Sequence, residues 1–223
     1  MRALLDGPAR AALMAGARRV ADAGLVLGSA GNLSLRDGDR VLITCGGAAL
    51  EALAPEHCVE VGVSEEQSGE DDDARPRPSS ELPLHRAIYA ATDAGAIVHT
   101  HSHYATVLGT ITDELPAIHY MINHFGGPVR VARYETFGTD ALAASVVEAL
   151  RDRSGALMAN HGAVATGPDI ETTVSKAILL EWLASIYYHG IACGTPNILS
   201  DDELGAVRDR ARQIRYGVEA GKR

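Results

Sequence analysis

Apolar residues at helical spacing, Leu13, Ala17 and Val20, predict a first helix over Ala9 to Ala23, and Gly24 supplies its stop. Two short alternating runs follow. Asn32 to Leu35 and Val41 to Thr44 read as a hairpin joined through Arg36-Asp37-Gly38-Asp39, and Cys58 to Val63 alternates like a third strand. The segment 64–78 is acidic, contains proline and has no period, so it is expected to be an exposed loop. Beyond it, Ser79-Ser80 can cap a helix that carries Leu84, Ile88 and Ala91 and has Glu81 in its first turn. Ala96-Ile97-Val98 begins a buried strand that runs into His99, Thr100, His101, Ser102 and His103, with a helical stretch from Tyr104. Val129 to Ala132 and Ala156 to Ala159 read as strands, and Thr139 to Ala149 as a helix. Pro168 precedes a long helix reaching about Tyr188, with Val174, Ile178, Trp182 and Ile186 as its buried face. Ser200-Asp201-Asp202-Glu203 is a capping box for a last helix ending near Tyr216-Gly217.

Strands and helices interleave, but the early hairpin is antiparallel rather than a parallel crossover unit. An α/β chain with one mixed or antiparallel sheet flanked by helices fits best. The 223 residues, 46% of them hydrophobic, suffice for a substantial core. The net charge of −9, from 29 acidic against 20 basic residues, argues against a nonspecific binder of nucleic acid or of anionic membranes. No run of apolar residues is long enough to span a bilayer, and residues 1–10 lack a signal peptide's apolar segment, so a cytoplasmic protein is expected. Three scattered cysteines suggest neither a disulfide framework nor a cysteine-based zinc knuckle. Neither GxGxxG nor GxxxxGK occurs, which leaves a nucleotide-phosphate fold without an anchor. A metal would therefore have to use histidine.

His99 and His101, two apart on a strand, place both rings on one face, a spacing that suits one metal. His161 follows a second strand and precedes Gly162, where the absent side chain allows close approach, and it is the candidate third ligand. A three-histidine site leaves coordination positions open, which favours Lewis-acid carbon chemistry or hydrolysis over a structural ion. His103 continues the two-residue period and is a candidate for substrate contact or for support of the ligands. Glu81 is the candidate for proton transfer. His57, His85 and His189 read as structural or surface residues, and His119 and His124 lack a comparable arrangement.

Six stretches then carry a resemblance in order along the chain. They are Gly28-Ser29-Ala30-Gly31-Asn32-Leu33-Ser34, Ser79-Ser80-Glu81, His99-Thr100-His101, Pro116-Ala117-Ile118-His119-Tyr120-Met121, Thr136-Phe137-Gly138-Thr139 and Ala159-Asn160-His161-Gly162. Together they resemble the class II aldolase and adducin-like family, most closely its members that cleave L-fuculose 1-phosphate. The resemblance implies a single three-layer α/β/α domain over 1–223 with a central, mainly antiparallel sheet. It implies one Zn2+ per subunit on His99, His101 and His161, with Glu81 touching the resting metal and acting as acid or base. It also implies a homotetramer with sites at subunit interfaces, where Tyr120 is offered across the boundary to the hydroxyl whose proton leaves during cleavage. The reaction implied is retro-aldol cleavage of a phosphorylated sugar, a ketose 1-phosphate, to dihydroxyacetone phosphate and a short aldehyde.

By the same resemblance, Gly31, Asn32, Gly46, Gly47, Ser79 and Ser80 form the phosphate pocket, and His103, Phe137 and Tyr216 shape specificity. The sequence departs from the family pattern in two places. Cys45-Gly46-Gly47 stands where Pro-Thr-Gly is usual, so a hydroxyl that would face phosphate is missing, and His103 stands where proline is frequent. A related pentulose-phosphate 4-epimerase would typically carry aspartate in place of Glu81, whereas a sugar-acid phosphate decarboxylase would share the same electron-sink logic. A zinc hydrolase fits the histidine trio alone but not the ordered motifs. An adducin-like binding module would have no use for three metal ligands and Glu81.

Overall fold

A computed structural model describes residues 7–64 and 76–214. Tyr216, one of the specificity candidates, and most of the acidic loop lie outside the described residues. The chain opens with helix α1 (Gly7–Asp22), then the hairpin β1 (Asn32–Asp37) and β2 (Arg40–Thr44), and strand β3 (Cys58–Gly62). Helix α2 (Leu82–Ala91), strand β4 (Ala96–Thr100) and the short helix α3 (His103–Leu108) follow. Next come β5 (Glu114–Leu115), a 3-10 helix over Tyr120–Phe125, β6 (Val129–Ala132), α4 (Asp140–Ala149), β7 (Gly155–Met158), β8 (Gly162–Gly167), α5 (Ile170–Cys193) and α6 (Asp201–Gln213).

The strands form one sheet in the order β3-β2-β1-β4-β8-β7-β6-β5. Its pairings are antiparallel except β6 with β7, so the expected mixed, mainly antiparallel sheet flanked by helices is the observed fold. The two-residue alternation along the strands sorts the core into layers. Leu33, Leu42, Val98 and Ala165 pack beneath α1 and α5, while Val41, Ile43, Ile97, Val164 and Met158 pack beneath α2 and α4. A third cluster, with Leu108, Phe125, Leu157, Leu183 and Leu204, joins α3, α5 and α6 to the sheet's far half.

The structure adds a strand, β8, that the sequence pattern does not show, and corrects three sequence expectations. β8 escapes alternation because both its faces are covered, so all six of its residues are buried. The long helix buries Thr173, Val174, Ala177, Leu180, Leu183 and Ala184, whereas Trp182 is 44% exposed. The face expected from Val174, Ile178, Trp182 and Ile186 lies off the true one, because a helix covered by α1 on one side and α3 on another has no single stripe. Strand β4 stops at Thr100, and His103 opens α3 instead of continuing the strand's period. Finally, Glu81 sits just before α2 rather than in its first turn, and the Ser79 hydroxyl accepts its backbone N–H at 3.2 Å. The capping box at Ser200 and Glu203 forms as expected. No helix among the described residues is long and apolar enough to cross a membrane.

Candidate active site

Three pieces of backbone converge where β4, β8 and β1 meet. Asn32, the first residue of β1, is paired in register with His99 on β4. β4 in turn pairs with β8, with Thr100 opposite Ala163. His161 reaches this point from a tight turn between β7 and β8, where Asn160 takes φ 55°, a left-handed conformation that asparagine tolerates better than most residues. A Cβ on Gly162 would lie 2.0 Å from the Thr100 carbonyl oxygen, so the close strand approach at this site demands glycine.

The rings of His99, His101 and His161 stand mutually edge-on, with centroids 4.8 to 4.9 Å apart. Together with Glu81 they form a cluster able to hold a metal ion, each offering a ligand atom within 4.8 Å of the others. His99 is fully buried, and its Nδ1 lies 3.0 Å from the Ala163 carbonyl oxygen. A carbonyl only accepts, so Nδ1 carries the proton and Nε2 presents a lone pair. That Nε2 lies 3.0 Å from His101 Nε2 and 3.0 Å from Glu81 Oε2. His161 Nε2 is 3.4 Å from Glu81 Oε1, a buried atom with no hydrogen-bond partner. The His99 lone pair thus faces the Glu81 carboxylate, an arrangement that costs free energy unless a cation lies between them. The donor set fits a metal that takes imidazole nitrogen and carboxylate oxygen.

The local electrostatics agree. Burial, and then the charge of His99 and His161, lower the pKa of His101 to about 4. Burial followed by His99 also lowers that of His161. Burial alone would raise the Glu81 carboxyl, but positive charge brought to the His99 side of the contact, by a proton or by a bound cation, together with the Asn32 amide and His161 holds it below the usual carboxylate range. Its place at the N-terminal end of α2 favours the anion as well.

A pH dependence follows for the metal-free protein. His101, and His85 at about 3, are neutral when folded but take up protons near pH 6.5 when unfolded. In that window the unfolded chain binds more protons, so stability is full above about pH 6.5 and falls as the pH drops toward the folded values. The slope approaches about 1.4 kcal/mol per pH unit for the fully buried His85 and is smaller for His101, which solvent partly screens. Glu81, with its lowered pKa, adds a loss of the same sign below its ordinary 4.5. Urea unfolding with a chelator present should show a midpoint at pH 5 clearly below that at pH 7; equal midpoints would contradict it.

A cavity of about 160 Å³ adjoins the cluster, lined by Gly31, Asn32, Gly46, Gly47, Ser79, Ser80, Glu81, His101, Phe137 and His161, with Ser29, Ala30 and Cys45 completing it. Gly31 has φ 87°, and a Cβ there would lie 2.9 Å from the His99 carbonyl oxygen, so the loop can pass this close only as glycine. Two candidates stand elsewhere. His103 is exposed at the start of α3 with its ring against Tyr104, and Tyr120 is 47% exposed, stacked on His119, which meets Trp182 edge-on. Glu181 escaped the sequence reading: its carboxylate on α5 accepts the N–H groups of Tyr104 at 2.8 Å and Ala105 at 2.9 Å, anchoring the turn that follows His101. Nothing in its helical surroundings marks it in the sequence.

The family model for the class II aldolase and adducin N-terminal domain matches residues 11–188, and the chain belongs to that family. It is 38% identical to a 5-methylthioribulose-1-phosphate/5-deoxyribulose-1-phosphate aldolase of Rhodospirillum rubrum, over 95% of this chain and 93% of that protein. It is 35% identical to the L-fuculose phosphate aldolase of Escherichia coli K12, over 88% of this chain and 90% of that one. A solved L-fuculose 1-phosphate aldolase superposes with a TM-score of 0.85 at 31% identity, covering 93% of this chain and 97% of that structure.

Proposed function

We propose that the protein is a zinc-dependent aldolase that cleaves a ketose 1-phosphate to dihydroxyacetone phosphate and a short aldehyde. The observation that carries this reading is the cluster of three imidazoles and a buried carboxylate, close enough to share one ion, beside a glycine- and serine-lined cavity. Its relatives act, by name, on L-fuculose phosphate and on 5-deoxy- and 5-methylthio-ribulose 1-phosphates, which share the ketose phosphate end and differ in the aldehyde fragment.

In this reading the phosphate lies in the cavity among Gly31, Asn32, Gly46, Gly47, Ser79 and Ser80, close to the positive end of α2. Backbone N–H groups and serine hydroxyls serve as donors there without any lysine. The Nε2 atoms of His99, His101 and His161 hold Zn2+, one per subunit, which when bound supplies Lewis-acid stabilisation of negative charge on the ketone oxygen. Glu81 Oε1, which has no hydrogen-bond partner among the described residues, takes a proton from solvent and passes it to the carbon left with the bonding pair after cleavage, and runs the same transfer backwards in the reverse direction. Tyr120 of one subunit serves the cavity of a neighbour in a homotetramer, relaying the hydroxyl proton to solvent as the carbon–carbon bond breaks, its phenol oxygen accepting that proton while its own proton passes on. Its exposure in an aromatic patch away from its own cavity supports that assignment. Phe137 stands at the cavity's mouth, 64% exposed, where it would meet the aldehyde fragment.

The test is a metal-loaded screen with L-fuculose 1-phosphate, L-ribulose 1-phosphate and 5-deoxypentulose 1-phosphates, reading both products. Chelator-sensitive release of dihydroxyacetone phosphate and an aldehyde is expected. Carbon dioxide release or simple epimerisation without aldehyde would overturn the assignment.

Gly46 supplies a second test. A Cβ there would meet its nearest atoms, the Pro78 carbonyl oxygen and the Ser79 Cα, at 3.6 and 3.9 Å, which is ordinary contact. Gly46→Thr therefore fits and adds a hydroxyl on the phosphate side. One charge-assisted hydrogen bond should lower KM about tenfold with little change in kcat. An unchanged KM would show that phosphate lies elsewhere.

A further inference from the structure

Behind Glu81, starting from Asn32 of the phosphate pocket, runs a line of buried polar side chains whose further members the proposed reaction does not use. Asn32 Nδ2 donates to Glu81 Oε2 at 2.9 Å, and Asn32 Oδ1 lies 2.6 Å from His85 Nε2. His85 Nδ1 lies 2.6 Å from Ser34 Oγ, which lies 2.7 Å from the Tyr89 hydroxyl. Asn32, Ser34, His85 and Tyr89 are between 0 and 4% exposed. They come from only two elements, β1 and α2, at the two-residue and four-residue spacings that put each pair on one face.

The direction of every bond in this line is determined. The carboxylate accepts, so the Asn32 amide must turn its nitrogen toward Glu81 and its oxygen toward His85. That oxygen only accepts, so the neutral His85 ring carries its proton on Nε2 and its Nδ1 accepts from Ser34. Ser34 then takes its own bond from the Tyr89 phenol. Burial and the nearby charge of His99 keep the imidazole neutral at ordinary pH. All four bonds therefore point one way, toward Glu81.

We infer that His85 is a positioning residue: by fixing the Asn32 amide orientation, it keeps a donor on Glu81 Oε2 and leaves Oε1 as the oxygen free for proton transfer. If the Asn32 amide turned over, its oxygen would face the carboxylate, and Glu81 would lose its one amide donor and its defined orientation. The arrangement also joins two parts of the cavity. Asn32 lines the phosphate pocket, so its side chain connects that pocket to the acid–base group. The inference rests on the proposed aldolase reading for its kinetic consequence, though not for its geometry.

Two measurements test it. In the wild-type, metal-loaded protein with 15N-labelled histidine, NMR at pH 7 should show a proton on Nε2 of the His85 ring; a ring protonated on Nδ1 alone would overturn the inference. This readout needs no turnover, so it stands even if no ketose 1-phosphate is cleaved and the proposed function fails. In kinetics, His85→Phe should lower kcat about 10- to 100-fold, the usual cost of removing a supporting hydrogen-bond partner, with metal stoichiometry unchanged. His85→Gln, whose amide can again donate to Asn32, should recover most of the loss. Ser34→Ala removes one hydroxyl at the next link and serves if the phenylalanine variant does not fold: the His85 proton should stay on Nε2, held there by the Asn32 oxygen, with kcat lowered severalfold at most. Wild-type kcat in His85→Phe, no recovery in His85→Gln, or a proton moved to Nδ1 in Ser34→Ala would each contradict it.

Discussion

His161→Ala should reduce bound metal to a small fraction of one ion per chain and turnover by at least about 10³-fold, a loss of about 4 kcal/mol of transition-state stabilisation. His161 is the informative ligand to remove. It sits on a turn with its side chain 11% exposed, so truncation leaves no large internal void, whereas His99 is wholly buried and hydrogen-bonded to β8. Loss of activity in the His161 variant can therefore be read as loss of the ion rather than of the fold, and circular dichroism should confirm an intact chain. Mass spectrometry of the metal content alongside kcat makes the check. Full occupancy with wild-type turnover would remove the basis for a shared cation.

The second large effect is expected from Glu81→Gln. Glutamine keeps the shape and can still accept from Asn32, but it can neither take nor return a proton. Turnover should fall by about 10²- to 10⁴-fold, the usual worth of a positioned acid or base. Metal binding should fall far less, because three imidazoles remain. Exchange of solvent deuterium into dihydroxyacetone phosphate alone isolates the proton step from carbon–carbon cleavage, and it should slow in parallel. Comparable turnover in Glu81→Gln would reject Glu81 as the principal acid or base.

These predictions rest on residues that were legible in the sequence to different degrees. His99 and His101 announce themselves because an apolar strand running into polar residues marks the end of a strand at a site. His161 was readable through Gly162, whose lack of a Cβ fits the close approach of β8 to the end of β4. Glu81 was readable as a candidate, but its position just before α2 depends on the Ser79 hydroxyl holding the turn, a three-dimensional detail. His103 shows the limit of the two-residue period: the strand had ended, and Glu181, far along the chain, had already drawn the backbone into a helix. His85 looked like one more structural histidine, since a lone histidine on a helix gives no sign of the partners that β1 brings to it. The sheet's order was not deducible either, because the fully buried β8 has no alternation to read.

The central claim is that three Nε2 atoms hold one cation over the cavity that takes the substrate. Anomalous diffraction from crystals of the metal-loaded protein tests it most directly. The account predicts a single peak per chain within coordination distance of Nε2 of His99, His101 and His161. A peak at another place, or coordination through Nδ1 of any of the three, would contradict it.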